Sequence, residues 1–187
     1  MNDLATARET LIRELREHAL VIGEVTLSSG QTAQYYVDAR RALLRPAGFR
    51  AAGELIAAAA VERGAEAVGG PVMAAIPLAC AAIAVPGGDG LVGFFVRKET
   101  KQHGLQRMVE GPVEAGTRCL VVEDTVTTGA STIAAVEQMR TQDLELVGGV
   151  CVVDRLAGGR EAIAEAIGGP FEALTTIDDL YPDRPDR

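Results

Sequence analysis

Cys119-Leu120-Val121-Val122-Glu123-Asp124-Thr125-Val126-Thr127-Thr128-Gly129-Ala130-Ser131-Thr132 is an apolar β-run that stops on two adjacent acids and crosses a small-residue loop into a helix. A loop of Thr125, Thr127, Thr128, Gly129 and Ser131 opening a helix offers unpaired backbone N–H groups, hydroxyl donors and the positive end of a helix dipole. That combination suits a phosphate. Glu123 and Asp124 would repel a bare phosphate, so the ligand needs a second, hydroxyl-bearing part. A sugar phosphate meets both demands: the loop holds the phosphate, while the acids accept hydrogen bonds from ribose hydroxyls or face a hydrated Mg²⁺.

Outward from this segment, the pattern is strand, helix, strand. Pro46 starts a helix where its missing N–H costs nothing, and an Ala-rich run carries it to about Arg63, before Gly64. Ala65 to Val68 then feeds Gly69-Gly70-Pro71, followed by a helix to about Ala84, a strand over 91–96, the strand at 119–123 with its helix to Arg140, and a strand over 146–153. Continuous apolar strands separated by helices predict an α/β fold with a central, mostly parallel sheet covered on both faces. Ligands in such sheets bind beyond the carboxyl ends of the strands. The predicted strands end in Gly70-Pro71, Arg97-Lys98, Glu123-Asp124 and Asp154-Arg155, which gathers polar groups at one edge.

The 187 residues predict one domain, with no repeat or linker. An amphipathic helix over 3–19 and a hairpin, Val25-Thr26-Leu27 and Tyr35-Tyr36-Val37-Asp38 about Ser28-Ser29-Gly30, form an N-terminal hood over 1–45. The sheet core spans 46–170, and 182–187, rich in Pro and Asp, read as a disordered tail. Hydrophobic residues make up 48% and charged residues 24%, a globular balance. There is no Trp and there are three Tyr, so an exposed Tyr35-Tyr36 pair needs a reason. A net charge of −8 argues against nucleic acid or an anionic membrane as partner. Cys80, Cys119 and Cys151 sit in apolar runs without metal-ligand spacing and read as reduced core residues. With no apolar signal core or membrane-length stretch, the expected location is cytoplasmic.

Two further segments carry chemistry. Arg97-Lys98-Glu99-Thr100-Lys101-Gln102-His103-Gly104 is the basic cluster the acidic chain otherwise lacks. A mobile loop over 97–111 with Arg97, Lys98, Lys101 and His103 would close on a pyrophosphate, neutralise charge on the leaving group and exclude water. Val152-Val153-Asp154-Arg155 offers a guanidinium whose fork suits a carboxylate or adjacent oxygens.

Val121 to Gly129 resembles the phosphoribosyl pyrophosphate (PRPP) signature of the type I phosphoribosyltransferases, and Arg-Lys-Glu-x-Lys-x-His-Gly resembles the catalytic loop of the orotate phosphoribosyltransferases. The segment 27–38 and the Asp154-Arg155 element are similar to that family's base-side segments. The resemblance spans roughly residues 20 to 160. It implies the type I phosphoribosyltransferase fold, and transfer of ribose 5-phosphate from PRPP to orotate with Mg²⁺, giving orotidine 5′-monophosphate and pyrophosphate. It also implies site roles. PRPP would be bound by Arg97, Lys98, Lys101, His103, Glu123, Asp124, Thr125, Val126, Thr127, Thr128, Gly129, Ala130 and Ser131. Orotate would be bound by Thr127, Arg155, Tyr35 and Tyr36, with Asp124, Lys101 and His103 catalytic. Mg²⁺ would have no direct protein ligand, being held by PRPP and water near Asp124. A homodimer with loop residues acting across the interface is likewise implied.

The departures are Ser28, and Met73, Ala74 and Ala75, at places where many family members carry lysine-containing segments. Two positive contacts are absent, which shifts weight to the Gly69-Gly70 backbone and the mobile loop. The alternatives are a phosphoribosyltransferase for another base, and a regulatory protein that senses PRPP.

Overall fold

The computed structural model describes residues 4–26, 32–98 and 108–187. Its N-terminal helix α1 (Leu4–Glu14) closes in a π-helical turn, Leu15–Ala19, and leads into an antiparallel hairpin of β1 (Leu20–Thr26) and β2 (Thr32–Val37). Leu11, Leu15 and Ala19 are buried because their spacing keeps them on one face of the helix. The hood is therefore packed onto the core. A short α2 (Arg40–Leu43) precedes α3 (Pro46–Glu62), which begins with Pro at its first position as expected.

The sheet is built from β3 (Ala67–Pro71), β4 (Val92–Val96), β5 (Val109–Glu110), β6 (Arg118–Val126), β7 (Glu145–Asp154) and β8 (Phe171–Thr176). Its order is β5-β4-β3-β6-β7-β8; the β4–β5 pair is antiparallel and the others are parallel. The mostly parallel α/β reading is thus met. Between these strands run α4 (Ala75–Ile83), α5 (Ala130–Arg140) and α6 (Gly159–Ile167), and α7 (Ile177–Leu180) follows β8.

Strand alternation divides β6 between two cores. Leu120 and Val122 join the layer that includes α1, α3 and α4; Cys119 and Val121 join the layer of α5 and α6. Burial on both faces explains why these strands read as unbroken apolar runs.

Several boundaries differ from expectation. β6 does not stop at its acids: it continues to Val126, because Thr125 and Val126 keep pairing with Val153 and Asp154 of β7. Beyond Asp154 the sequence reading assigns no elements, and the structure adds α6, β8 and α7. β5 is only two residues long, too short to carry a period. Residues 182–187, expected as a disordered tail, instead fold back: Arg184 pairs with Asp178, and the Tyr35 hydroxyl donates to Asp186 at 3.0 Å. The same contact corrects the expectation of an exposed tyrosine pair, since Tyr35 is 4% exposed. Cys80 is exposed rather than in the core, while Cys119 and Cys151 are buried and all three are free. Among the described residues no helix is long and apolar enough to cross a membrane.

Candidate active site

A cleft of about 630 Å³ opens beyond the carboxyl ends of β3, β4, β6 and β7. Pro71, Lys98, Glu123, Asp124 and Arg155, each from the end of a different strand or from its acid pair, all line it. The strand-end rule thus converges on one place. The end of β2 and the start of α2 add Tyr36 to Arg40 to its lining. A hollow of about 150 Å³, lined by Thr125 to Thr132, adjoins it, and Thr125, Thr127 and Ser131 face both spaces.

The hollow is the loop between β6 and α5. Gly129 is the N-cap of α5 with φ 78°, and no side chain caps the helix there. The first turn therefore keeps amide donors available to an anion. Glycine is required at this position by its left-handed backbone and by space, since a Cβ would lie 2.7 Å from Ile163 Cγ1 and 2.9 Å from the Gly159 carbonyl oxygen. Gly159 in turn packs on the loop. Its N–H donates to the Thr127 carbonyl at 3.1 Å, and a Cβ would meet that oxygen at 2.4 Å. The glycine pair after Arg155 is what holds the loop in shape.

The acids sit at the junction of the two spaces. Glu123 is 5% exposed and accepts from Thr132 Oγ1 at 2.8 Å and Ser131 Oγ at 3.4 Å. Burial first, and the neighbouring Asp124 charge second, push its carboxyl up to about 7. Asp124 accepts the Thr125 N–H at 2.6 Å. Burial raises its ionisation range too, opposed by that N–H and by Arg40. Arg40 is held by Asp38 at 2.8 Å, and both line the cleft beside Asp124. This Asp38–Arg40 pair was missed as a functional feature, although Asp38 closes the hairpin motif and Arg40 stands two residues on. Thr125 Oγ1 is buried without a hydrogen-bond partner among the described residues. A buried hydroxyl in that state is costly unless a ligand completes it.

The other expected residues separate. Thr127 and Ser131 line the cleft; Thr128, Gly129 and Ala130 line the hollow. Val126 also borders the hollow, but its side chain is buried in the core and its carbonyl accepts the Arg155 N–H at 2.9 Å. Lys98 lines the cleft, whereas Arg97 does not: its guanidinium pairs with Glu110 at 3.6 Å. Tyr36 lines the cleft and Tyr35 does not. Successive strand residues point to opposite faces, so a tyrosine pair cannot present both rings to one space. Lys101 and His103, like Ser28, lie outside the described residues. Among the described residues no three His, Cys, Asp or Glu side chains converge as a metal cage.

Comparison with known proteins gives a consistent answer. The phosphoribosyl transferase domain family matches residues 47–172. The orotate phosphoribosyltransferase of Corynebacterium glutamicum is 46% identical over 176 residues, covering 94% of this chain and 95% of its own. A crystal structure of the Mycobacterium tuberculosis H37Rv orotate phosphoribosyltransferase with Fe(III) dicitrate superposes with a TM-score of 0.84 at 41% identity, covering 93% of this chain and 98% of that one. The same enzyme in complex with PRPP superposes with a TM-score of 0.79 at 37% identity, with the same coverage.

Proposed function

Because the chain belongs to the orotate phosphoribosyltransferases of the phosphoribosyl transferase domain family, we propose that its cleft transfers ribose 5-phosphate from PRPP to orotate, giving orotidine 5′-monophosphate and pyrophosphate for pyrimidine synthesis. One observation carries the site assignment. The acid pair and the amide-lined hollow adjoin through Thr125, whose hydroxyl has no protein partner among the described residues. That arrangement fits a pentose phosphate lying across the junction.

In this reading the Thr125–Ser131 loop takes the 5′-phosphate and Glu123 with Asp124 orients the ribose hydroxyls. As pyrophosphate leaves the anomeric carbon, positive charge grows on the ring, and the acids stabilise it more than the ground state. Orotate nitrogen forms the new bond from the opposite face with its own electron pair, so no protein nucleophile is needed. Lys98, with Lys101 and His103, compensates the charge on departing pyrophosphate; Arg97 acts instead through its pair with Glu110. Arg155 meets the orotate carboxylate and Tyr36 covers the ring. Mg²⁺, held by PRPP oxygens and water, would neutralise pyrophosphate charge when bound, and Asp124 is the carboxylate placed to accept its water hydrogens.

A homodimer is supported by an apolar stripe. Met73, Ile76, Cys80 and Ile83 are exposed at three- and four-residue spacing, one face of α4 and the turn before it. A second copy of this chain would cover it. Reduced thiols support a cytoplasmic location.

The test is loss of orotate absorbance on addition of PRPP and Mg²⁺, run beside uracil and purine bases. Turnover of orotate alone supports the assignment. Equal turnover of a base without a carboxylate would overturn the role of Arg155, and no turnover with any base would favour a PRPP sensor.

A further inference from the structure

Arg155 is held in an unusual way for a chain with 26 acidic residues. Among the described residues no carboxylate pairs with its guanidinium. Instead its Cζ lies 5.4 Å from the centroid of the Tyr35 ring. A carboxylate partner would occupy the same N–H fork that a carboxylate ligand needs. A ring face holds the cation and leaves its in-plane donors free.

The ring itself is fixed from the far end of the chain. Tyr181 meets it edge-on, with centroids 5.6 Å apart and planes at 84°. The Tyr35 hydroxyl donates to Asp186 Oδ2 at 3.0 Å, and Asp186 is paired with Arg184 Nε at 3.2 Å. Arg184 also pairs with Asp178 of α7. Contacts therefore run without a break from the last turn of the chain, through Tyr35, to the arginine at the cleft wall. Tyr35 is 4% exposed and does not line the cleft, whereas Tyr36 does.

We infer that Tyr35, clamped by Tyr181 and Asp186, is a positioning residue that aims Arg155 at the base, so that the C-terminal segment sets orotate affinity. The inference rests on the assignment of Arg155 to orotate. Of the tyrosine pair, Tyr36 faces the base and Tyr35 acts only through the arginine. Tyr35, Tyr181 and Asp186 line neither the cleft nor the phosphate hollow, so the expected signature is confined to one substrate.

Steady-state kinetics of Tyr35→Leu, Arg155→Ala, their double variant and Asp186→Ala test this, with KM for orotate and for PRPP measured separately. Tyr35→Leu is expected to raise orotate KM about fivefold to tenfold and leave PRPP KM within about twofold. In the Arg155→Ala background the same change is expected to add nothing. Asp186→Ala moves orotate KM in the same direction by less, and Tyr35→Phe, which keeps the ring, retains most of the affinity. An equal rise from Tyr35→Leu in the Arg155→Ala background would mean the ring acts on the base directly, and parallel rises in both KM values would mean a merely structural role; either overturns the inference. Should Tyr35→Leu fail to fold, Asp186→Ala decides, since an unchanged orotate KM overturns it as well. If Arg155→Ala alone leaves orotate KM unchanged, the underlying assignment of Arg155 is what fails.

Discussion

Glu123→Gln isolates the cost of keeping a carboxyl at the floor of the site. Glutamate ordinarily ionises near 4.5, and Glu123, buried and beside Asp124, ionises at about 7. The sign follows from linkage. A carboxyl whose folded value is raised binds its proton more tightly in the folded protein, so its stabilising effect is complete below 4.5 and is lost as pH rises through about 7. The interval corresponds to roughly 3 kcal/mol. The amide keeps an acceptor for Thr132 Oγ1, and the charged character that this bond loses is already contained in the raised value. Above pH 8 the variant should therefore be more stable by about 3 kcal/mol, or roughly 6–12 °C in Tm for a domain of this size. At pH 4 the gain should vanish. Thermal melting of the ligand-free wild type and variant from pH 4 to 8.5 measures this. A difference that stayed constant across that range, or grew toward low pH, would refute the electrostatic account of the acid pair. Orotate turnover by the variant should fall at the same time if, as proposed, the charge that costs stability is the one that orients the ribose.

Other substitutions separate the parts of the site. Arg155→Ala should raise orotate KM about tenfold to a hundredfold with PRPP KM nearly unchanged, the effect of losing a charge-assisted contact; steady-state kinetics check it. Thr125→Val removes a buried hydroxyl without a partner among the described residues, so unfolding should be about 1 kcal/mol harder while PRPP affinity weakens, a pairing that denaturant melts and calorimetric titration resolve. Gly129→Ala meets both a left-handed backbone and Ile163, so stability should fall by about 2–4 kcal/mol, visible as a lower Tm, and PRPP binding should weaken with it. For the proposed dimer, mixing inactive Lys101→Ala and Asp124→Asn proteins after reversible dissociation should recover part of the activity if the loop works in its neighbour's site. No recovery would place the loop on its own subunit.

Local pattern made much of this protein legible. The run Cys119 to Thr132 encodes a strand, a loop and a helix in a contiguous stretch, because apolar continuity, small hydroxyl residues and helix-forming residues act over a few positions. The same locality explains why the polar strand ends are legible in the sequence as one edge: parallel strands share a direction, so their carboxyl ends share a side.

What locality could not supply was the partner of each side chain. Arg97 and Lys98 are adjacent and equally basic, yet Glu110 on the antiparallel β5 takes one and the cleft takes the other. Tyr35 and Tyr36 read as one aromatic pair, but strand alternation sends one beneath Arg155 and the other to the cleft. Whether a carboxyl ionises near 4.5 or about 7 depends on what burial removes from around it, and Glu123 is buried by groups from β6 and α5 together. The chain's order of residues thus dictated its elements and the kind of ligand, since those follow from near neighbours. Its folded form chose which residues line the cleft, because contacts such as Asp186 with Tyr35 join positions 151 apart.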